Sequence, residues 1–137
     1  MDSGPFFATS RKSEIDIRGL ALVAALAAAS GHVLHNLTEF PPAILWSWET
    51  LVPVAVTAVL AVAAILRPSR RWLVALGAWG LVTLVLGALS VLPLPFLPFD
   101  PEQSAGHYLT HVVYAGSQLP VLLLGWWALR HPRTSPR

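Results

Sequence analysis

Four stretches of apolar residues, separated by short polar or proline-containing segments, dominate the chain. They cover roughly 19–38, 44–66, 72–92 and 106–129. A helix needs about 20 residues to cross ~30 Å of hydrocarbon, and the second stretch reaches this length once 44–49 is included. The pattern therefore predicts an all-α, integral membrane four-helix bundle. We expect a single domain over 1–137, with polar tails at 1–17 and 131–137.

The basic residues predict the orientation of this bundle. All nine Lys and Arg residues lie in the two tails and in the loop between the second and third stretches. The other two loops, 39–49 and 93–105, carry only acidic charges. By the positive-inside rule, both termini and the middle loop face the cytoplasm. We expect a multi-pass protein of the cell's inner or plasma membrane, with both termini inside.

A proline-rich segment follows the third stretch. It reads SVLPLPFLPFDPEQS, with prolines at 93, 95, 98 and 101. This spacing cannot continue a helix, because proline lacks the N–H group and clashes with the preceding turn. The segment is predicted to form an extended cap on the outer side, with Leu94, Phe96, Leu97 and Phe99 over the mouth of the bundle.

Polar residues form a stripe near the outer end of the first helix. The sequence GHVLHNLTEF places His32, His35, Asn36 and Glu39 at i, i+3, i+4 and i+7. This spacing puts all four on one helical face. Ionisable residues inside a membrane are costly and mark functional sites by default. The stripe is therefore expected to face the bundle interior.

A second stripe begins the fourth helix. The sequence GHYLTHVVYAGSQLP places His107, His111, Tyr114 and Gln118 at i, i+4, i+7 and i+11. With a rise of about 1.5 Å per residue, His32 and His111 both lie about 8–9 Å below the outer boundary. The first and last helices of an up-down bundle are neighbours. The two stripes are therefore predicted to meet in one outer-leaflet site.

The leading hypothesis for this site is a transition metal centre that serves redox chemistry or metal handling. Imidazoles from two helices are typical ligands of zinc, copper and iron. The predicted ligands are His32, His35, His107 and His111, with Glu39 as a further ligand or as an acceptor that fixes a histidine tautomer. Asn36, Tyr114 and Gln118 are expected to surround these ligands.

Three alternatives stay open at this stage. A b-type haem for membrane electron transfer would use His32 and His111 as axial ligands from opposite sides. A cofactor-free membrane enzyme would use the histidines and Glu39 as acid and base on a lipid-soluble substrate. A purely structural membrane subunit would use the same groups only to hold its helices together.

Composition narrows the classes of function and partner. Charged residues make up only 12% of the chain and hydrophobic residues 55%, whereas a soluble domain carries about 25% charged residues. There is no cysteine, which excludes thiol catalysis and iron–sulfur ligation. A net charge of +2 gives no reason to expect nucleic acid as a partner. The expected partners are the lipid bilayer and either a second copy of the chain or a larger membrane complex.

Overall fold

The computed structural model consists of four long helices, arranged as one bundle. It describes the backbone of residues 9–93 and 102–131 and the side chains of 17–93 and 102–131, and within these ranges it contains no strand. The long helices are α1 (Thr9–Glu39), α2 (Trp48–Leu66), α3 (Arg70–Leu86) and α4 (Ala105–Arg130). Two short 3-10 helices, Pro42–Trp46 and Ala88–Val91, precede α2 and follow α3.

The helices close into a ring in chain order. α1 packs against α2 and α4, α3 packs against the same two helices, and α1 and α3 barely touch. All four are long and apolar enough to cross a membrane, which confirms the prediction of four apolar helices of spanning length. One end, called here the histidine end, contains the C-terminus of α1 and the N-terminus of α4. The opposite end, the arginine end, contains Arg18, Arg67, Arg70 and Arg130.

Local sequence explains where the helices stop at the histidine end. Pro41 and Pro42 follow α1 after a single residue, Phe40, and proline cannot continue a helix. The chain instead makes one 3-10 turn before Ser47 and α2. This turn replaces the helical start at residue 44 that the sequence predicts. At the start of α4, the Ser104 hydroxyl accepts a hydrogen bond from the His107 backbone N–H, as a helix N-cap does.

The arginine end contains the apolar core of the bundle. Its buried residues are small or branched, which lets the helices approach closely and interlock: Ala21, Ala24, Ala28, Ala64, Leu73, Leu76, Val121, Leu124 and Ala128. Arg70, in the first turn of α3, closes this end by donating from Nε to the Ala128 carbonyl at 3.2 Å. A cation at a helix C-terminus is favourable because the last carbonyls there carry partial negative charge.

The proline-rich cap and the tails fall largely outside the described residues. Residues 94–101 contain the four apolar side chains of the expected cap and all of its prolines except Pro93. Residues 1–8 and 132–137 belong to the tails that carry part of the basic charge.

The closest approach of α3 to α4 occurs at a pair of glycines. A Cβ atom added to Gly77 would lie 2.8 Å from the Gly125 Cα and 3.1 Å from the Val121 carbonyl oxygen. Both neighbours are backbone atoms, so no side-chain rotation relieves the contact. Glycine is therefore required for this crossing. By contrast, a Cβ added to Gly116 on α4 would meet nothing within 4 Å.

We predict that Gly77→Ala lowers the free energy of unfolding by about 1–3 kcal/mol, the usual cost of overpacking a well-packed interior. Gly116→Ala, its matched control, should leave stability unchanged or slightly raised, because alanine favours helix. Unfolding in detergent, followed by circular dichroism during a denaturant titration, measures both variants. Equal stability of the two would contradict the close glycine crossing.

Candidate functional site

Three of the four predicted histidines lie together where α1 meets α4. The Nε2 atoms of His35 and His111 face each other at 2.9 Å, and their ring centroids are 4.4 Å apart with the planes nearly perpendicular. His107 lies one turn before His111, with ring centroids 4.6 Å apart. The expected meeting of the two stripes is thus seen at the level of side-chain contact.

The other ring nitrogen of His111 is held by the backbone. Its Nδ1 lies 2.7 Å from the Ala88 carbonyl oxygen, in the 3-10 helix that follows α3. A carbonyl only accepts hydrogen bonds, so Nδ1 must carry the proton. A neutral imidazole has only one protonated nitrogen. In the neutral ring, Nε2 of His111 is therefore unprotonated and bears a lone pair. His111 is only 4% exposed, which favours this neutral form.

The side-chain amide of Asn36 holds Nδ1 of His35, as the Ala88 carbonyl holds Nδ1 of His111. Its Nδ1 lies 3.0 Å from Asn36 Oδ1, and Asn36 Nδ2 donates to the Thr50 hydroxyl at 2.6 Å. Thr50 in turn donates to the Ile44 carbonyl at 2.8 Å. With the Asn36 amide oxygen toward His35, the ring donates from Nδ1, and in the neutral ring its Nε2 also bears a lone pair. The opposite amide orientation would instead make Nε2 of His35 the donor to His111.

His107 is oriented by a carboxylate. Its Nδ1 lies 2.5 Å from Glu39 Oε2, and the second carboxylate oxygen accepts a hydrogen bond from the Thr110 hydroxyl, also at 2.5 Å. Because the carboxylate accepts, Nδ1 carries the proton, and Nε2 is the nitrogen of His107 that is left to bind a metal when the ring is neutral. Glu39 therefore acts on the site through His107.

These three imidazoles share one arrangement. The Nδ1 atom of each lies against an oxygen, from an amide, a carboxylate or a backbone carbonyl, and a neutral ring that donates from Nδ1 keeps Nε2 unprotonated. Metal-binding histidines almost always show this pattern, because the outer acceptor fixes the tautomer and the ring orientation. The donors and acceptors come from α1, α4 and the 3-10 helix after α3, so the arrangement depends on tertiary packing.

His32 is bound differently from the other three. Its Nε2 lies 3.1 Å from the Glu49 backbone carbonyl, and so carries the proton. Its Nδ1 then accepts from the Tyr114 hydroxyl at 2.7 Å. Both ring nitrogens of His32 have protein partners, and Tyr114, only 2% exposed, contacts the His35 ring as well. His32 thus supports the cluster through Tyr114.

A second group of possible ligands lies beside the first. Within the described part of the chain, Glu39, Glu102 and His107 bring ligand atoms within 4.8 Å of one another. Helical spacing does not connect Glu102 with the stripes, because it lies in the loop before α4. No three of the four histidines form such a group: among the described residues their contacts are pairwise, with His35 and His107 each against His111 and His32 against Tyr114.

Gln118 lies deeper in the bundle than the histidines. Its amide donates to the Ala28 carbonyl at 3.2 Å and accepts from the Thr83 hydroxyl at 2.9 Å. It therefore links α4 to α1 and α3 and takes no part in the histidine contacts. Trp79 links α3 to α2 in a similar way, because its indole N–H donates to the Thr57 hydroxyl at 3.1 Å.

The stripes alone did not reveal three partners of the site, namely Thr50, Thr110 and the Ala88 carbonyl. Thr110 could have been identified from the sequence, because it lies three residues after His107 and one before His111. Thr50 and Ala88 become visible only when the helices are assembled.

Comparisons of the chain with protein-family models, with curated proteins and with solved structures each found no match.

We predict that Thr50→Val destabilises the protein by about 1–3 kcal/mol, because the buried Asn36 amide then loses its acceptor. Thr38→Val is the matched control, since the exposed Thr38 hydroxyl bonds only to carbonyls of its own helix. Thermal unfolding in detergent compares the two variants. A Thr50→Val variant as stable as Thr38→Val would show that this amide network contributes nothing.

Proposed function

We propose that this chain is a multi-pass membrane protein that binds one transition metal ion through Nε2 of His35, His107 and His111. The observation that carries the proposal is the contact between Nε2 of His35 and Nε2 of His111 at 2.9 Å. When both rings are neutral and both Nδ1 atoms donate to their oxygens, each of these Nε2 atoms bears a lone pair. Two lone pairs at this distance repel unless a cation lies between them. The cation is either a proton shared by the two rings or a metal ion.

The separation of the rings is close to what a metal requires. Two nitrogens bound at ~2.0–2.1 Å to a tetrahedral zinc ion lie about 3.4 Å apart. His35 and His111 need to separate by only about 0.5 Å to reach this geometry. The His107 ring packs against His111, but its ligand nitrogen does not lie within 4.8 Å of both other imidazole nitrogens, so the ring must rotate toward them to become the third donor. Copper, zinc and iron all accept imidazole nitrogen.

The remaining sequence candidates act around this metal. Glu39 holds the His107 tautomer, Asn36 holds that of His35, and Tyr114 connects His32 to the cluster. We place His32 outside the ligand set because neither of its nitrogens faces another imidazole: Nε2 lies against the Glu49 carbonyl and Nδ1 against the Tyr114 hydroxyl. Gln118 belongs to the packing beneath the site.

We further propose that the histidine end faces outward and that both termini are cytoplasmic. The described charged side chains around the histidine end are Glu39, Glu49 and Glu102, whereas the described arginines lie at the opposite end. An acidic mouth attracts cations and raises their local concentration. The apolar core of alanine, leucine and valine at the arginine end supports a site that is reached from one side only.

The haem alternative has less support from the contacts. Two axial nitrogens of one haem iron lie about 4 Å apart with the ring plane between them. His32 instead contacts Tyr114, and His111 contacts His35. Acid–base chemistry on a lipid-soluble substrate is the second candidate, favoured by a cavity of about 290 Å³ beside His32, His35 and Tyr114.

We predict that protein purified in detergent without a histidine tag contains about one equivalent of copper, zinc or iron per chain. His35→Ala and His111→Ala should each reduce this content at least tenfold, because each removes a ligand. His32→Ala should retain most of it, and His131→Ala, at the arginine end, all of it. Elemental analysis by mass spectrometry measures all five proteins.

Metal at background level in the wild type, after growth and dialysis with each of the three ions, would overturn the metal proposal. A Soret band in the absorbance spectrum would favour the haem alternative. Loss of metal from His131→Ala as complete as from His35→Ala would show that binding is nonspecific.

The orientation is testable because the chain has no cysteine of its own. We predict that Ala43→Cys, in the exposed turn after α1, reacts with a membrane-impermeant maleimide in intact cells. Ser69→Cys, in the loop before α3, should react only after lysis. The reverse pattern would place the histidine end in the cytoplasm.

A further inference from the structure

A cavity of about 290 Å³ lies at the histidine end, next to the proposed metal site. Residues from α1, α2, α4 and both 3-10 helices contribute to its walls, so it occupies the mouth of the bundle. Its lining residues are His32, His35, Asn36, Phe40, Ile44, Glu49, Gly87, Ser90 and Tyr114. Pockets for small organic ligands begin at about 300 Å³, so this space suits a small ring or a short chain.

The walls combine apolar surface with a few polar groups. Phe40 and Ile44 offer apolar contact, whereas the hydroxyl oxygens of Ser90 and Tyr114 have acceptor capacity left after donating to Gly87 and His32. This mixture is typical of sites that hold an apolar body and orient it by one polar head.

The charges around the cavity favour a neutral ligand. No Lys or Arg lines it, and the charged residue on its rim is the exposed Glu49. An anion would be repelled there, and an unpaired charge is costly away from water. Trp46 and Trp48, 81% and 73% exposed, lie beside this mouth. Such rings settle at membrane interfaces, where small amphipathic aromatic molecules partition as well.

We infer that this cavity binds a small, neutral, lipid-soluble molecule with a hydroxyl head, of the phenol type. The inference rests on the proposed metal site in one respect: His35 belongs both to the cavity wall and to the ligand set. His107 and His111 do not line the cavity, so the hydroxyl head is expected to bond to the hydroxyl groups of Ser90 and Tyr114 on the cavity wall.

The test uses 4-fluorophenol as the probe and ¹⁹F NMR in detergent micelles. Wild-type protein should broaden the probe signal in a saturable manner, beyond micelles without protein, whereas the anion 4-fluorobenzoate should not bind. Ser90→Leu fills the cavity and should weaken 4-fluorophenol binding at least tenfold. Leu89→Phe is the matched control, because Leu89 is exposed beside the cavity without lining it, and its affinity should stay within twofold of the wild type.

A second readout separates this inference from the metal proposal. Ser90→Leu should bind Co²⁺ as the wild type does, as followed by the visible absorption bands of Co²⁺, because Ser90 lies outside the ligand set. Loss of Co²⁺ binding together with loss of 4-fluorophenol binding would show that the variant disrupts the whole histidine end, and would overturn the assignment of Ser90 to the pocket alone.

Absence of saturable binding to the wild type, or equal affinity of Ser90→Leu and Leu89→Phe, would overturn the pocket itself. Probe binding with the expected variant pattern but without any Co²⁺ binding would overturn the metal proposal and leave the pocket standing.

Discussion

The contact between Nε2 of His35 and Nε2 of His111 is the interaction on which the proposed site depends. The Nδ1 atom of each ring lies against a fixed oxygen, on Asn36 and on Ala88 respectively. Those oxygens lie on different elements, so the two Nε2 atoms converge only when α1, α4 and the turn after α3 are packed. The proposed cation would compensate the repulsion between the two lone pairs.

The bundle is divided between a polar end and an apolar end, and this division explains how a costly site persists in a membrane. A buried polar group without a partner costs several kcal/mol in hydrocarbon. No buried side-chain nitrogen or oxygen among the described residues lacks a hydrogen-bond partner. The apolar core at the arginine end, together with the Gly77–Gly125 crossing, supplies close packing. The polar side chains of the proposed site are gathered at the histidine end.

The sequence predicted the helices and the two stripes because both depend on local periodicity. Hydropathy predicted the number of apolar helices, and the spacing of His32, His35 and Glu39 predicted that they share one helical face. The roles within the stripe could not be predicted in this way. His32 and His35 look equivalent in sequence, yet one meets Tyr114 and the other His111, because helix rotation and the position of the Glu49 carbonyl decide which nitrogen is used.

The most direct test of the central claim is ¹⁵N NMR of the imidazole rings in metal-free protein and during addition of Zn²⁺. The account predicts that His35, His107 and His111 carry the proton on Nδ1, that His32 carries it on Nε2, and that zinc shifts the Nε2 signals of the first three. A proton on Nε2 of His35, unaffected by zinc, would contradict the account, because the two rings would then form an ordinary hydrogen bond.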